Sequence, residues 1–88
     1  MKDNIAAVIH DIWAHWMKHM FKVCYHRNLM LEGTMQHCLV IPNNLLKRWE
    51  RQTGQSFWEL SEDERESDRE MADMILETLA DASPFRDI

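Results

Sequence analysis

Residues 4–25, NIAAVIHDIWAHWMKHMFKVCY, predict a long amphipathic helix and place the chain in a mainly α class. Apolar side chains recur there at steps of three and four residues, which puts them in one stripe along a helix. The stripe consists of Ile5, Val8, Ile9, Ile12, Trp16, Met20 and Val23. Asp3 or Asn4 is the expected N-cap, because a short side-chain oxygen accepts the free N–H groups of a first helical turn.

Residues 26–41 have a different character. The turn residues Glu32 and Gly33 lie between short apolar runs, and this pattern allows either a short β-hairpin or an ordered loop. Pro42 closes the segment, because the residue before a proline is pushed towards an extended backbone.

A short second helix is predicted to start at Asn43 or Asn44 and to stop at Gly54. Its outer face carries the densest basic cluster in the chain. That cluster consists of Lys47, Arg48 and Arg51. Basic side chains in such a cluster are suited to bind the phosphate of a ligand.

The third helix has the clearest start signal. Ser61 and Glu64 form a capping box, in which each side chain accepts a hydrogen bond from the backbone N–H of the other residue. Acidic residues crowd the first turn, where the helix dipole favours negative charge. The helix is expected to end at residues 83–84, Ser-Pro.

Asp68 lies within about 40° of the apolar stripe of this third helix. A buried carboxylate without a partner is very costly, so Asp68 is expected to accept a hydrogen bond from a tryptophan, a histidine or an arginine of another segment. We therefore predict a buried polar contact between the third helix and the rest of the chain. A ligand-binding or catalytic role is the alternative.

The composition bounds the class of protein. Eighty-eight residues, 45% of them apolar, suffice for one small domain over residues 1–88. The longest apolar run has five residues, far below the roughly 20 that a membrane span needs, and no secretory signal is expected. Two cysteines indicate a reducing, cytoplasmic setting. Together these features predict a compact three-helix domain with a possible short β-hairpin between the first two helices.

The charge is unevenly distributed along the chain, which has a net charge of −5. Residues 1–58 carry seven Lys or Arg and four acids, whereas residues 59–88 carry eleven acids and three arginines. The acidic third helix argues against binding to duplex DNA, because the phosphate backbone would repel it.

Four tryptophans in so short a chain raise two possibilities. Packing in the core is one, and the other is a flat aromatic pocket that stacks a planar ligand such as a nucleobase. Trp13 is the best candidate for stacking, because it lies about 100° from the centre of the apolar stripe. Lys47, Arg48 and Arg51 would then lie near the phosphates of the ligand.

No metal, cofactor or catalytic residue is predicted. His15 and His19 have the i, i+4 spacing that lets two imidazoles share an ion, and two cysteines and two further histidines follow. However, the spacing of a known zinc site is not found. The sequence also has no glycine-rich phosphate loop, nucleophile elbow or HExxH motif, so a non-enzymatic protein is expected.

Three stretches together resemble the ryanodine-receptor (RyR) repeat domain. They are residues 10–14, HDIWA, which resemble its H-x-x-W-A motif, residues 37–42, HCLVIP, which resemble its H-P-x-L-V-P segment, and residues 60–69, LSEDERESDR, which resemble the start of its last helix. The chain also resembles small phage- and prophage-encoded proteins of unassigned function, through residues 12–17, 49–52 and 60–70.

The resemblance implies a non-enzymatic binding module in the cytoplasm of a bacterial host, with a nucleotide-like ligand at His10 and Trp13. Sequestering a host signalling nucleotide would be a coherent use for a phage. The motif residues with expected structural roles are His37, Pro42, Ser61, Glu64, Asp68 and Arg69. The main alternative is a protein–protein interaction factor, acting on a host protein or as a homo-oligomer through exposed Phe21, Phe57 or Phe85. A zinc-binding domain is the third possibility.

Overall fold

A computed structural model describes residues 1–81 of the chain. Its elements in chain order are α1 (Lys2–Val23), β1 (Tyr25–Leu31), β2 (Thr34–Val40), α2 (Asn43–Thr53), a 3₁₀ turn (Phe57–Glu59) and α3 (Glu62–Asp81). The prediction of a mainly helical chain with a hairpin between the first two helices is therefore confirmed. The expected helix end at residues 83–84 and the expected exposed Phe85 lie outside the described residues.

Both of the predicted N-caps at the first two helices are wrong. Helix α1 begins two residues earlier than expected, with Met1 as its cap and no side-chain cap bond. Asp3 thus lies inside the first turn, where the positive end of the helix dipole stabilises its negative charge. Helix α2 is capped by Pro42, whose extended backbone places its carbonyl to accept a hydrogen bond from the N–H of Leu46 at 2.9 Å.

The hairpin is closed by the tightest loop that two antiparallel strands allow. Leu31 pairs with Thr34, so Glu32 and Gly33 form a two-residue loop. Both residues have positive φ angles, 49° and 79°. That backbone is typical of a type I′ turn, whose twist matches the right-handed twist of the flanking strands.

A chain of side-chain contacts connects the hairpin to the end of α1. Nε2 of His26 donates a hydrogen bond to the carbonyl of Phe21 at 2.8 Å, which satisfies a carbonyl in the last turn of the helix. Nδ1 of His26 lies 3.3 Å from Nε2 of His37, and Nδ1 of His37 lies 3.2 Å from Oδ1 of Asn28. His37 therefore lies in the middle of this chain of contacts, and its predicted role as a motif residue stays a prediction.

Helices α1 and α3 pack against each other, with the C-terminal half of α1 near the N-terminal half of α3. The core between them is thin. Cys24 and Glu64 are the two residues of the described chain that are buried, and the apolar side chains of the helix stripes are half-buried at most. Within the described residues, no helix combines the length and the apolar character needed to cross a membrane.

The predicted compactness is not found. The molecule measures 62 × 30 × 18 Å, and its radius of gyration of 18.0 Å exceeds the about 12 Å of a compact chain of this length. The molecule is elongated because α1, a helix of 22 residues, is followed directly by the hairpin. The two strands pair with each other and have few contacts with the helices.

We expect two substitutions in the hairpin loop to change the stability of the chain in opposite directions. Gly33→Ala should destabilise the chain by about 1 kcal/mol, because a Cβ disfavours positive φ. No atom lies within 4 Å of the added Cβ, so this cost is conformational and not a clash. Glu32→Asn should stabilise it by about 0.5 kcal/mol, because Asn tolerates the left-handed region. Thermal melting of both variants tests the turn type, and a stabilising Gly33→Ala would contradict it.

Candidate ligand-binding cleft

A cleft of about 510 Å³ opens where the three helices meet. Its volume is in the range of small-molecule sites. Aromatic rings form part of its wall, and carboxylates of α3 lie at its rim. The residues that decide its chemistry are Trp16 from α1, Arg48 and Trp49 from α2, Phe57 from the 3₁₀ turn, and Asp63 and Asp68 from α3.

Glu64 is the buried acid of this region, and it links α2 to the start of α3. Its carboxylate accepts hydrogen bonds from Arg51 at 2.7 and 3.2 Å and from Arg48 at 3.1 Å. The backbone N–H of Ser61 donates to the same carboxylate at 3.1 Å, and the hydroxyl of Ser61 accepts from the N–H of Glu64 at 3.3 Å. The predicted capping box is therefore confirmed.

These contacts determine the charge state of Glu64. The hydrogen bonds from Arg51, helped by Ser61 and Arg48 and opposed by burial, lower the pKa of Glu64 from 4.5 to about 2. The same contact raises the pKa of the Arg51 guanidinium. Two of the three basic residues predicted to hold a phosphate are therefore already paired with one shared carboxylate.

Asp68 is not the buried acid that its helical position predicts. It is exposed at the rim of the cleft, and neither Asp68 nor Asp63 forms a hydrogen bond or an ion pair with another described residue. The covered stripe of α3 runs through Glu64, Met71 and Thr78, and Asp68 lies about 70° from the centre of that stripe, where its carboxylate is exposed. The buried polar contact exists, but Glu64 makes it.

Arg69 belongs to an exposed network on the outer side of α3. Its guanidinium donates to Glu62 at 2.6 Å and to Glu66 at 3.1 Å, and it lies over the ring of Phe57 at 5.8 Å. Hydrogen bonds from Arg65 and Arg69 lower the pKa of Glu62. These contacts join the 3₁₀ turn to α3, and the predicted role of Arg69 as a motif residue stays a prediction.

The predicted ligand-binding residues do not come together in the cleft. Of His10, Trp13, Lys47, Arg48 and Arg51, the cleft lining includes Arg48. The rings of His10 and Trp13 stack on each other with centroids 5.7 Å apart, and Trp13 is 58% exposed. Lys47 is exposed on α2. Their proposed contacts with base and phosphate stay predictions.

The histidines and cysteines are spread over several places. His15 and His19 each pack against Trp16 in an edge-on arrangement, with ring centroids 5.3 and 5.9 Å apart. Cys24 is buried and Cys38 is half-buried. Across residues 1–81, no three side chains of His, Cys, Asp or Glu come together in an arrangement that could hold a metal ion.

Comparison of the chain with protein-family models, curated proteins and solved structures gives no match. The resemblance to RyR repeats and to phage proteins therefore rests on the motif residues quoted above.

Trp16 belongs to the predicted apolar stripe of the first helix, and the sequence predicted no site role for Trp16, Trp49 or Asp63. All three line the cleft. The available signal was that the first two helices each carry a tryptophan at a position of apolar spacing.

We expect Glu64→Gln to reduce the melting temperature in a pH-dependent way. The pKa of Glu64 is lower in the folded chain, about 2 against 4.5, so the unfolded chain takes up the proton first on acidification. The stabilisation by this carboxylate is thus complete above pH 4.5 and is lost as the pH falls towards 2. The difference in melting temperature between wild type and Glu64→Gln should shrink over that range.

The matched control for this experiment is Glu62→Gln, which removes an acid from the same helical turn. Glu62 is 65% exposed, whereas the Glu64 side chain is 3% exposed. Exposed ion pairs contribute little to stability. At neutral pH Glu62→Gln should therefore lower the melting temperature less than Glu64→Gln does. An equal or larger effect of Glu62→Gln would contradict the central role of Glu64.

Proposed function

We propose that this chain is a small non-enzymatic binding module whose cleft takes a nucleoside-type ligand. The observation that carries the proposal is the joint presence of tryptophan rings and two unpaired carboxylates in one cleft of about 510 Å³. A nucleoside offers a planar base to the rings and hydroxyl donors to the carboxylates.

The aromatic wall supports the choice of a planar ligand. Trp16 and Trp49 come from different helices, and both are accessible from the cleft. Stacking of a base on an indole contributes about 1–3 kcal/mol, and every base has a face that can stack. Phe57 adds apolar surface to the same space.

The carboxylates support the choice of a ligand that donates hydrogen bonds. Asp63 and Asp68 are both exposed at the rim and without partners among the described residues. An ionised carboxylate only accepts hydrogen bonds. Ribose hydroxyls and exocyclic amino groups are donors of the right kind, and carboxylates bind ribose hydroxyls in dinucleotide sites.

The charges around the cleft favour recognition of the nucleoside part of a ligand over recognition of its phosphates. The guanidiniums of Arg48 and Arg51 are paired with Glu64. The two remaining acids at the rim repel a phosphate. Binding of phosphate by Lys47, Arg48 and Arg51 is the competing proposal. Arg48 contacts Glu64 through Nε, which leaves its terminal nitrogens for a phosphate, whereas both terminal nitrogens of Arg51 are on Glu64.

The RyR-repeat and phage-protein resemblance supports a nucleotide-related ligand, and with it a cytoplasmic role in a bacterial host. Sequestration of a host signalling nucleotide remains the use that best fits such an origin. We place the ligand in the cleft, whereas the resemblance indicates His10 and Trp13 as the binding residues.

Isothermal titration calorimetry with the four ribonucleosides and their mono- and triphosphates tests the proposal. At least one nucleoside should bind, and its affinity should not rise when phosphates are added. Asp68→Asn should weaken that binding by about tenfold, because a hydrogen bond to a charged group is lost. No binding by any member of the panel would overturn the proposal.

Three control variants locate the site. Asp73→Asn removes an exposed acid from the same helix outside the cleft, and it should leave the affinity unchanged. Trp13→Ala and Lys47→Ala should also leave it unchanged. Loss of binding in Trp13→Ala, or tighter binding of triphosphates that Lys47→Ala abolishes, would transfer the site to the residues indicated by the resemblance.

A further inference from the structure

Two histidine rings face each other on one side of the hairpin. His26 pairs with Leu39 and His37 pairs with Asn28, so His26, Asn28 and His37 lie on the same face of the two strands. Nδ1 of His26 lies 3.3 Å from Nε2 of His37, and both residues are exposed. The cleft lining in the described part of the chain includes no residue of β1 or β2, so the histidine pair is separate from the proposed ligand site.

The outer nitrogen of each ring contacts an oxygen that only accepts hydrogen bonds. Nε2 of His26 lies 2.8 Å from the carbonyl oxygen of Phe21, and Nδ1 of His37 lies 3.2 Å from Oδ1 of Asn28. Each of these two nitrogens must therefore carry the N–H that donates. A neutral imidazole has a single N–H. The two inner nitrogens, Nδ1 of His26 and Nε2 of His37, are thus both left with a lone pair.

The two lone pairs lie on the facing edges of the rings. The ring centroids are 5.4 Å apart, farther than the 3.3 Å between the inner nitrogens. Lone pairs in this arrangement repel each other, and a cation between them turns the repulsion into attraction. The histidine pair is therefore built to receive a positive charge from solvent.

The distance between the inner nitrogens indicates which cation fits. A proton shared by two nitrogens forms a charge-assisted hydrogen bond, and such bonds are about 2.7–2.9 Å long. A zinc ion binds imidazole nitrogens at about 2.0–2.1 Å, and its tetrahedral geometry separates two such ligands by about 3.3–3.4 Å. The observed 3.3 Å matches the spacing of two nitrogens on one metal ion.

The outer contacts are of the kind that support metal-binding histidines. Such a histidine almost always donates its other ring N–H to a carbonyl, a carboxylate or water, which fixes the tautomer and the orientation of the ring. His26 has the carbonyl of Phe21 at the end of α1, and His37 has the amide oxygen of Asn28 on the neighbouring strand. Both rings are therefore oriented before any ion binds.

We propose that His26 and His37 form a binding site for a divalent transition-metal ion of the zinc class. Imidazole suits zinc, copper and nickel, whereas magnesium and calcium prefer oxygen ligands. Because both histidines are exposed, water completes the coordination shell. The site differs from the pair His15 and His19, whose rings each pack against Trp16.

Isothermal titration calorimetry of the full 88-residue chain with Zn²⁺ in a reducing buffer tests the proposal. One ion should bind per chain, and Mg²⁺ should not bind. His26→Gln and His37→Gln should each weaken Zn²⁺ binding by at least about tenfold, because one of two protein ligands is lost. The matched controls His15→Gln and Cys38→Ser remove other groups that bind zinc, and both should leave the affinity unchanged.

Asn28 tests the tautomer on which the site depends. Asn28→Ala should weaken Zn²⁺ binding by about tenfold, because the outer N–H of His37 loses its acceptor. Asn28→Asp keeps an acceptor at that position, and it should bind Zn²⁺ at least as tightly as the wild type does. Weaker binding by Asn28→Asp would overturn the proposal, because Asn28 would then be a donor to His37.

Nitrogen-15 NMR spectra of the imidazole rings identify the atoms that bind. Addition of Zn²⁺ should shift Nδ1 of His26 and Nε2 of His37 more than the two outer nitrogens. Absence of Zn²⁺ binding, or binding that His15→Gln abolishes and His37→Gln does not, would overturn the proposal. So would a pair that responds to acid and not to Zn²⁺. If circular dichroism shows that His26→Gln disturbs the fold through its contact with Phe21, His37→Gln alone decides, since it leaves that contact in place.

Discussion

The position of α2 depends on the carboxylate of Glu64. Its oxygens accept hydrogen bonds from two arginines of α2 and from the backbone at the start of α3. Apolar side chains of α2 such as Leu45 and Trp49 are half-buried, so burial alone holds the helix weakly. A charged group with several directed partners restricts orientation more than an apolar contact of the same size does.

The cleft is a consequence of this arrangement. Because α2 is held by its polar contact with Glu64, its aromatic side chain Trp49 does not pack closely against α1. Trp16 and Trp49 therefore line an open space. The same contact uses the two arginines that would otherwise attract phosphate. The cleft is therefore aromatic and acidic, although the second helix has the densest basic cluster in the sequence.

Much of the fold was predictable from local signals. The capping box at Ser61 and the turn at Glu32 and Gly33 each depend on neighbouring residues, and the structure has both. Asp68 shows where this reasoning ends. Its position on the helical wheel is close to apolar residues of α3, but the face that is covered runs through Glu64, Met71 and Thr78, about 70° away. Which face is covered depends on the packing of the other elements, and helical periodicity contains no information about that packing.

The two halves of helix α1 contribute to different surfaces of the molecule. Its N-terminal half offers Ile9 and Trp13 to solvent, whereas its C-terminal half brings Trp16 to the cleft. The two tryptophans are three residues apart, yet Trp13 stacks on the ring of His10, whereas Trp16 lines a cleft that also contains carboxylates of α3. Three residues turn two side chains about 60° apart around a helix, which is why neighbouring positions of α1 contribute to both surfaces. The stripe pattern of α1 alone does not separate them, because the cleft at Trp16 exists only where α2 and α3 come close.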